Sequence, residues 1–189
     1  KEPELTKREK SVHKLLAVYL LSFTALSSGY AHADELEEAQ VWGAMLTDAI
    51  QKNMKLNLKK RPEHKAIKKF LKENQCPGIK YEGYLVGEEQ QYFYLIGSKG
   101  KEVIIGRHFK APVVDGVIAL DSAQSSTKGC LNLGPKAPDV AAMVATHLQP
   151  YPNEFHLLQS NIHAVTLYIG TKSGMFVVKD GKMYLSDSK

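Results

Sequence analysis

The chain has 189 residues, 25 Lys/Arg against 20 Asp/Glu, a formal net charge of +5, and 43% hydrophobic residues. That apolar content excludes a disordered polar chain and supports a single core. The two cysteines form no C-x-x-C, which argues against a dithiol oxidoreductase.

The first segment reads as a secretory leader. Lys7, Arg8, Lys10 and Lys14 form a positive region, residues 15–26 an apolar one, and Ala31-His32-Ala33 a small-x-small cleavage site. The apolar run is shorter than the roughly 20 residues needed to cross a bilayer. Export to the periplasm or medium is expected, with residues 1–33 removed as a signal peptide and 34–189 left as one α+β domain. The leader holds Lys1, Lys7, Arg8, Lys10 and Lys14 against Glu2, Glu4 and Glu9, so the rest carries 20 − 17 = +3. That charge is concentrated early: residues 34–72 hold nine Lys/Arg and six Asp/Glu, and residues 73–189 hold eleven of each. In an oxidising compartment, Cys76 and Cys130 are expected to form a disulfide.

Residues 34–75 read as helical and basic. Leu36, Ala39, Trp42, Met45, Leu46, Ala49 and Ile50 recur at helical spacing, predicting a helix over 35–52 behind an acidic start. Met54, Leu56 and Leu58 alternate with polar residues and fit either a short strand or more helix. Pro62 opens a second helix that ends near Asn74. Ala66, Ile67, Phe70 and Leu71 form its apolar face, and at 100° per residue Lys65, Lys68, Lys69 and Lys72 gather on the opposite side.

From residue 79 the period becomes two. Strands are expected at 79–86, 91–97 and 101–108, the last two as a hairpin around Ser98-Lys99-Gly100. A strand over 113–121 bends at Asp115-Gly116, a polar loop covers 123–128, and 130–133 is at most a short strand. A third helix is expected near 139–148, with Val140, Met143, Val144 and Leu148 inward and Pro150 and Pro152 ending it. Residues 153–160 fit a short helical turn. A meander follows over 164–170, 175–179 and 182–185, its second turn marked by Asp180-Gly181. The repeat of YLIGSKGKEVII (94–105) in LYIGTKSGMFVV (167–178) suggests two similar hairpins. The fold class is therefore α+β: an antiparallel sheet of hairpins and meander, two N-terminal helices, and one helix inserted between strand groups.

Catalytic patterns are weak. His64, His108, His147, His156 and His163, with Glu154-x-His156, offer metal-ligand residue types but no zinc spacing. Ser125 and Lys128 match S-x-x-K, and Lys172-Ser173-Gly174 resembles a K-T-G box, yet Gly129 follows at once and the run reads as loop. A cysteine hydrolase pairing Cys130 with a histidine needs a free thiolate, which the expected disulfide removes. Asp115 and Asp121 offer paired carboxylates, but Asp-Gly is ordinary turn chemistry.

The favoured reading is an exported, non-catalytic binding protein without a cofactor or metal, specifically an immunity or inhibitor protein that neutralises a toxin or envelope enzyme. The partner is expected to be another protein, not nucleic acid. Candidate contacts are the basic residues Lys65, Lys68, Lys69 and Lys72, and the loop residues Ser98, Lys99, Lys101, Lys128, Lys172 and Ser173. The alternatives are docking to anionic lipid or cell-wall polymer through the basic helix, and a small hydrolase using Cys130 or Ser125.

Overall fold

The computed structural model describes residues 27–186, with side chains from residue 34. The basic and apolar parts of the expected leader lie outside the described residues. The chain divides into two units, Lys1–Glu37 and Glu38–Lys189. Helix α1 (Ser27–Gln51) begins eight residues before the expected 35, so its backbone runs through Ala31-His32-Ala33. No described helix is long and apolar enough to cross a membrane.

The larger unit is α+β. After α1 come a 3-10 turn (Leu58–Lys60) and helix α2 (His64–Asn74). Then follow β1 (Lys80–Val86), β2 (Tyr92–Ser98), β3 (Glu102–Ile104), β4 (Phe109–Val114), β5 (Val117–Ile118), β6 (Gln124–Ser125) and β7 (Asn132–Pro135). The chain ends with β8 (Ala142–Thr146), helix α3 (Glu154–His163), β9 (Thr166–Thr171), β10 (Gly174–Lys179) and β11 (Lys182–Leu185).

One sheet has the order β1-β2-β4-β5, with β6 also on β4. β2 is its centre and is apolar on both faces because helices cover both. Tyr94 and Ile96 join Trp42, Leu46 and Ala49 of α1, Tyr84 and Val86 of β1, and Phe155 and Leu158 of α3. On the other face Phe93 and Leu95 join Ile67 of α2 with Phe109, Ala111 and Ile118. The second sheet has the order β11-β10-β9-β8, and β3 pairs separately with β7. α3 packs on β9 and β10 as well as on the first core, so it lies between the two sheets. The close approach of α1 to α3 depends on Gly43, where a Cβ would come within 2.9 Å of Leu157 and 3.0 Å of the Glu154 carbonyl.

Three expectations fail. Residues 142–146 form β8, not a helix, and the helix of this region is α3, the segment expected to be a single turn. β8 is parallel to β9 and α3 is the crossover between them, so an otherwise antiparallel fold contains one βαβ unit. The apolar run suited either element; pairing with β9 chose the strand. β3 does not form a hairpin with β2. β2 pairs with β1 and β4, and β3 turns away to β7. The sequence repeat therefore reflects one real hairpin, β9–β10, and not two. Asp115-Gly116, expected to bend a strand, is the two-residue turn of the β4–β5 hairpin, with φ of 50° and 76°. Asp180-Gly181 makes the β10–β11 turn as expected, with φ of 51° and 75°.

Candidate functional site

Helix α2 is fixed at both ends. At its start Arg61 pairs with Glu63 at 3.0 Å, and Glu63 accepts the Ile118 backbone N–H at 3.3 Å, tying the helix to the β4–β5 hairpin. Burial pushes the Glu63 carboxyl up, but Arg61 and the backbone N–H groups outweigh it and hold it below the usual carboxylate range. At the other end the Cys76–Cys130 disulfide closes, with Cα atoms 5.7 Å apart, and Arg107 donates to the Asn74 carbonyl at 3.3 Å. In between, Ile67 is buried and Phe70 meets Phe109 edge-on at 5.0 Å. Ala66, expected on this apolar face, is exposed instead.

The outward side carries Lys65, Lys68, Lys69 and Lys72, all exposed and, among the described residues, without an ion-pair partner. Lys59 and Lys60, in the 3-10 turn just before, are exposed and unpaired in the same way. Elsewhere lysines do find carboxylates, as Lys55 and Lys80 do at Glu82. Among the described residues Lys101, Lys128, Lys172 and Lys182 are unpaired as well, but singly; here six unpaired lysines follow within residues 59–72.

The loop candidates do not form one surface. Ser98 and Gly100 line a cavity of about 130 Å³ together with Glu82, Tyr84, Glu102 and His163. Lys99 pairs with Glu102 at 3.1 Å, and Lys101 is exposed beside it. Lys128 is exposed in the loop before Cys130, at the same end of the first sheet, where Ser126 and Thr127 bind the backbone N–H groups of His108 and Arg107. Lys172 and Ser173 form the β9–β10 turn of the other sheet.

The enzyme-like patterns find other partners. Ser125 donates to the Thr127 carbonyl from the end of β6, so no helical turn presents Lys128 to it. Cys130 is oxidised, so the thiolate required of a cysteine hydrolase is not there. Among the described residues no three His, Cys, Asp or Glu side chains gather as a metal site. Glu154 and His156 lie on α3 and point into separate interactions. Asp115 and Asp121 lie in a hairpin turn and a 3-10 turn.

A buried polar spine along α3 was not visible in the sequence, because its partners lie far away along the chain. Glu154 pairs with Lys110 of β4 at 3.1 Å, with side chains 10% and 16% exposed. The Lys110 ammonium also lies over the Tyr92 ring at 4.2 Å and the Trp42 ring at 5.2 Å. One turn on, Gln159 accepts the Ile104 N–H at 3.1 Å, and Ser160 donates to the Val165 carbonyl at 2.7 Å. His156 accepts the Asn153 N–H at its Nδ1 and meets His147 edge-on at 4.8 Å. His108 is satisfied on both sides: Gly97 N–H donates to Nδ1 at 3.1 Å, and Nε2–H donates to the Ile104 carbonyl at 2.6 Å.

The ion pair gives a direct test. Glu154→Leu alone leaves the Lys110 ammonium buried without its carboxylate and is expected to cost about 3 kcal/mol. Adding Lys110→Met, which replaces the pair by apolar groups of similar size, is expected to restore most of that loss. Urea unfolding of both variants checks this; equal losses in the single and double variants would contradict it.

Comparison of the chain with protein-family models, with curated proteins and with solved structures finds no match.

Proposed function

We propose that this is an exported, non-catalytic binding protein that docks an acidic protein surface onto the exposed face of α2, in the manner of an immunity or inhibitor protein. The supporting observation is the row Lys65, Lys68, Lys69 and Lys72, exposed and unpaired on a helix anchored at both ends. Four ammonium groups on one face repel each other, and a partner carrying carboxylates would turn that repulsion into attraction. Rigid anchoring lowers the ordering cost of binding. A protein is favoured over a lipid surface because interfacial helices insert an apolar face, and here Ile67, Phe70 and Leu71 are turned into the core. The disulfide suits the oxidising compartment that export implies.

The test is capture from the envelope and secreted fractions by the full protein, in rising salt. Binding is expected to fall steeply with ionic strength and to be lost in Lys65→Glu/Lys68→Glu/Lys69→Glu/Lys72→Glu. Thermal stability should stay close to wild type, since all four side chains are exposed. Capture that survives the fourfold change would refute the reading. Loss of anionic vesicle binding with no protein captured would assign the face to lipid.

A further inference from the structure

We propose that β8 is a self-pairing edge, through which two copies of this chain join their four-stranded sheets into one.

The outer strands β11 and β1 of the two larger sheets are blunted, and β5 and β6 are short. Met183 of β11 donates its N–H to the Gln40 side chain of α1 at 2.7 Å, and Lys182 adds a charge there. The β1 edge is bridged by the segment at Lys55, with the Leu56 N–H on the Gly83 carbonyl at 2.8 Å. β5 and β6 are two residues long. β8 has none of these protections. Residues 140–148, VAAMVATHL, contain no Asp, Glu, Lys, Arg or Pro, and Val144 and Leu148 are 63% and 70% exposed. Natural edges usually carry a charge, a proline or a bulge to prevent pairing, so an edge without them is open to a second strand.

The register fits a second copy of this strand. His147 donates its N–H to the Gly170 carbonyl of β9 at 2.8 Å. Backbone groups alternate sides along a strand, so Met143 and Ala145 also face β9, while Ala142, Val144 and Thr146 turn their N–H and C=O outward. Among the described residues no backbone partner meets them there. In an antiparallel pair, residues that exchange both bonds stand directly opposite each other. A twofold axis at Val144 sets Val144 against Val144 of the second copy and Ala142 against its Thr146, every one of them outward-facing. The interface is then isologous and closed, as in most homodimers. No like charges meet in this register: Asp139 comes opposite Gln149. α2 packs on the other sheet, so its lysines do not oppose the approach.

The apolar stripe across the sheet would continue through the junction. Val144, Tyr168, Val177 and Tyr184 are in register on the face away from α3. A contact built on one short strand falls in the small, transient class of interfaces, below about 1,200 Å² in total, so micromolar self-association is expected. The proposal does not depend on the α2 reading; if both hold, the dimer presents two basic faces.

Sedimentation equilibrium of the full chain is expected to show a reversible dimer. Val144→Lys and Val144→Glu should each weaken it at least about tenfold through like charges at the axis, and an equimolar mixture should restore it. Val144→Thr should leave it intact. On wild type alone, the amides of Ala142, Val144 and Thr146 should gain exchange protection as concentration rises, a readout that needs no variant to fold. A monomer up to hundreds of micromolar, a Val144→Lys dimer as tight as wild type, or concentration-independent exchange at these amides would each overturn the proposal.

Discussion

Reducing the Cys76–Cys130 disulfide is expected to cost about 4 kcal/mol on chain-entropy grounds, because it frees a loop closed over a sequence separation of 54. That is a large fraction of an ordinary net stability of roughly 5–15 kcal/mol. For a chain of this size it corresponds to a fall in Tm of about 10 °C. The effect should also be local. The bond joins the end of α2 to the segment just before β7, where the Leu131 carbonyl accepts the N–H groups of Ile105 and Gly106 at 2.9 and 3.0 Å. Gly106 lies tight against that backbone, where a Cβ would sit 2.3 Å from the Leu131 nitrogen. Without the bond, Arg107 to Asn74 and the Cys76 N–H to Tyr81 remain as polar ties at this end of α2. Reduction is therefore expected to raise amide exchange most in the last turn of α2 and around residues 105–107. Thermal melts with and without reductant, beside a Cys76→Ser/Cys130→Ser variant, make the measurement. A Tm unchanged within about 2 °C would show that the oxidised loop gains little from closure.

The parts of this fold that were legible in the sequence are those governed by local chemistry. α2 could be read because Ile67 and Phe70 repeat at helical spacing against four lysines, and the same geometry now makes the basic face. Asp180-Gly181 could be read because two consecutive positive φ angles favour that pair in a tight hairpin. The disulfide followed from the cysteine count and the compartment expected from the leader-like segment. The failures share a different cause. Val140, Met143, Val144 and Leu148 fit a helical face, yet Met143 and Ala145 point inward only because β9 lies beside them in register. Ser98-Lys99-Gly100 has good hairpin chemistry, but β4 takes the β2 edge and His108 pins Gly97 to Ile104 from eleven and four residues away. The α3 spine depends on partners 44 and 55 residues distant, at Lys110 and Ile104. A polar residue in an apolar helical pattern reads as a solvent-facing position until such partners are known. The basic face was visible for the opposite reason: it needs no partner within the chain.

Acidification from pH 7 to 5 is expected to destabilise the protein by about 4 kcal/mol, through His108 and His156. Burial pushes the His108 imidazole down to about 4, although the Ile104 carbonyl favours its charged form. Burial pushes His156 down to about 3, helped by the neighbouring His147 and His108. Both rings use Nδ1 as an acceptor, so protonation would turn an N–H···N bond into two opposed donors. The groups around them give an imidazolium little support: Phe155 stacks on His108 at 5.3 Å, and His147, itself pushed down by burial, faces His156. The unfolded chain takes up these protons near 6.5, the folded chain only near 4 and 3. Between those values the unfolded state holds more protons, so stability is complete above 6.5 and falls as pH drops. Each histidine contributes a slope of about 1.4 kcal/mol per pH unit. Glu63 and Glu82 are held below the carboxylate range by their basic partners, and their contribution is lost only at lower pH, which separates the two effects. Urea titrations at pH 7, 6 and 5 measure the slope. His156→Gln, which keeps a polar side chain without a titrating ring, is expected to be less stable at pH 7 but to remove about half of the pH dependence. A slope that is flat above pH 5, or unchanged by His156→Gln, would show that these rings titrate normally and that the core around α3 admits water.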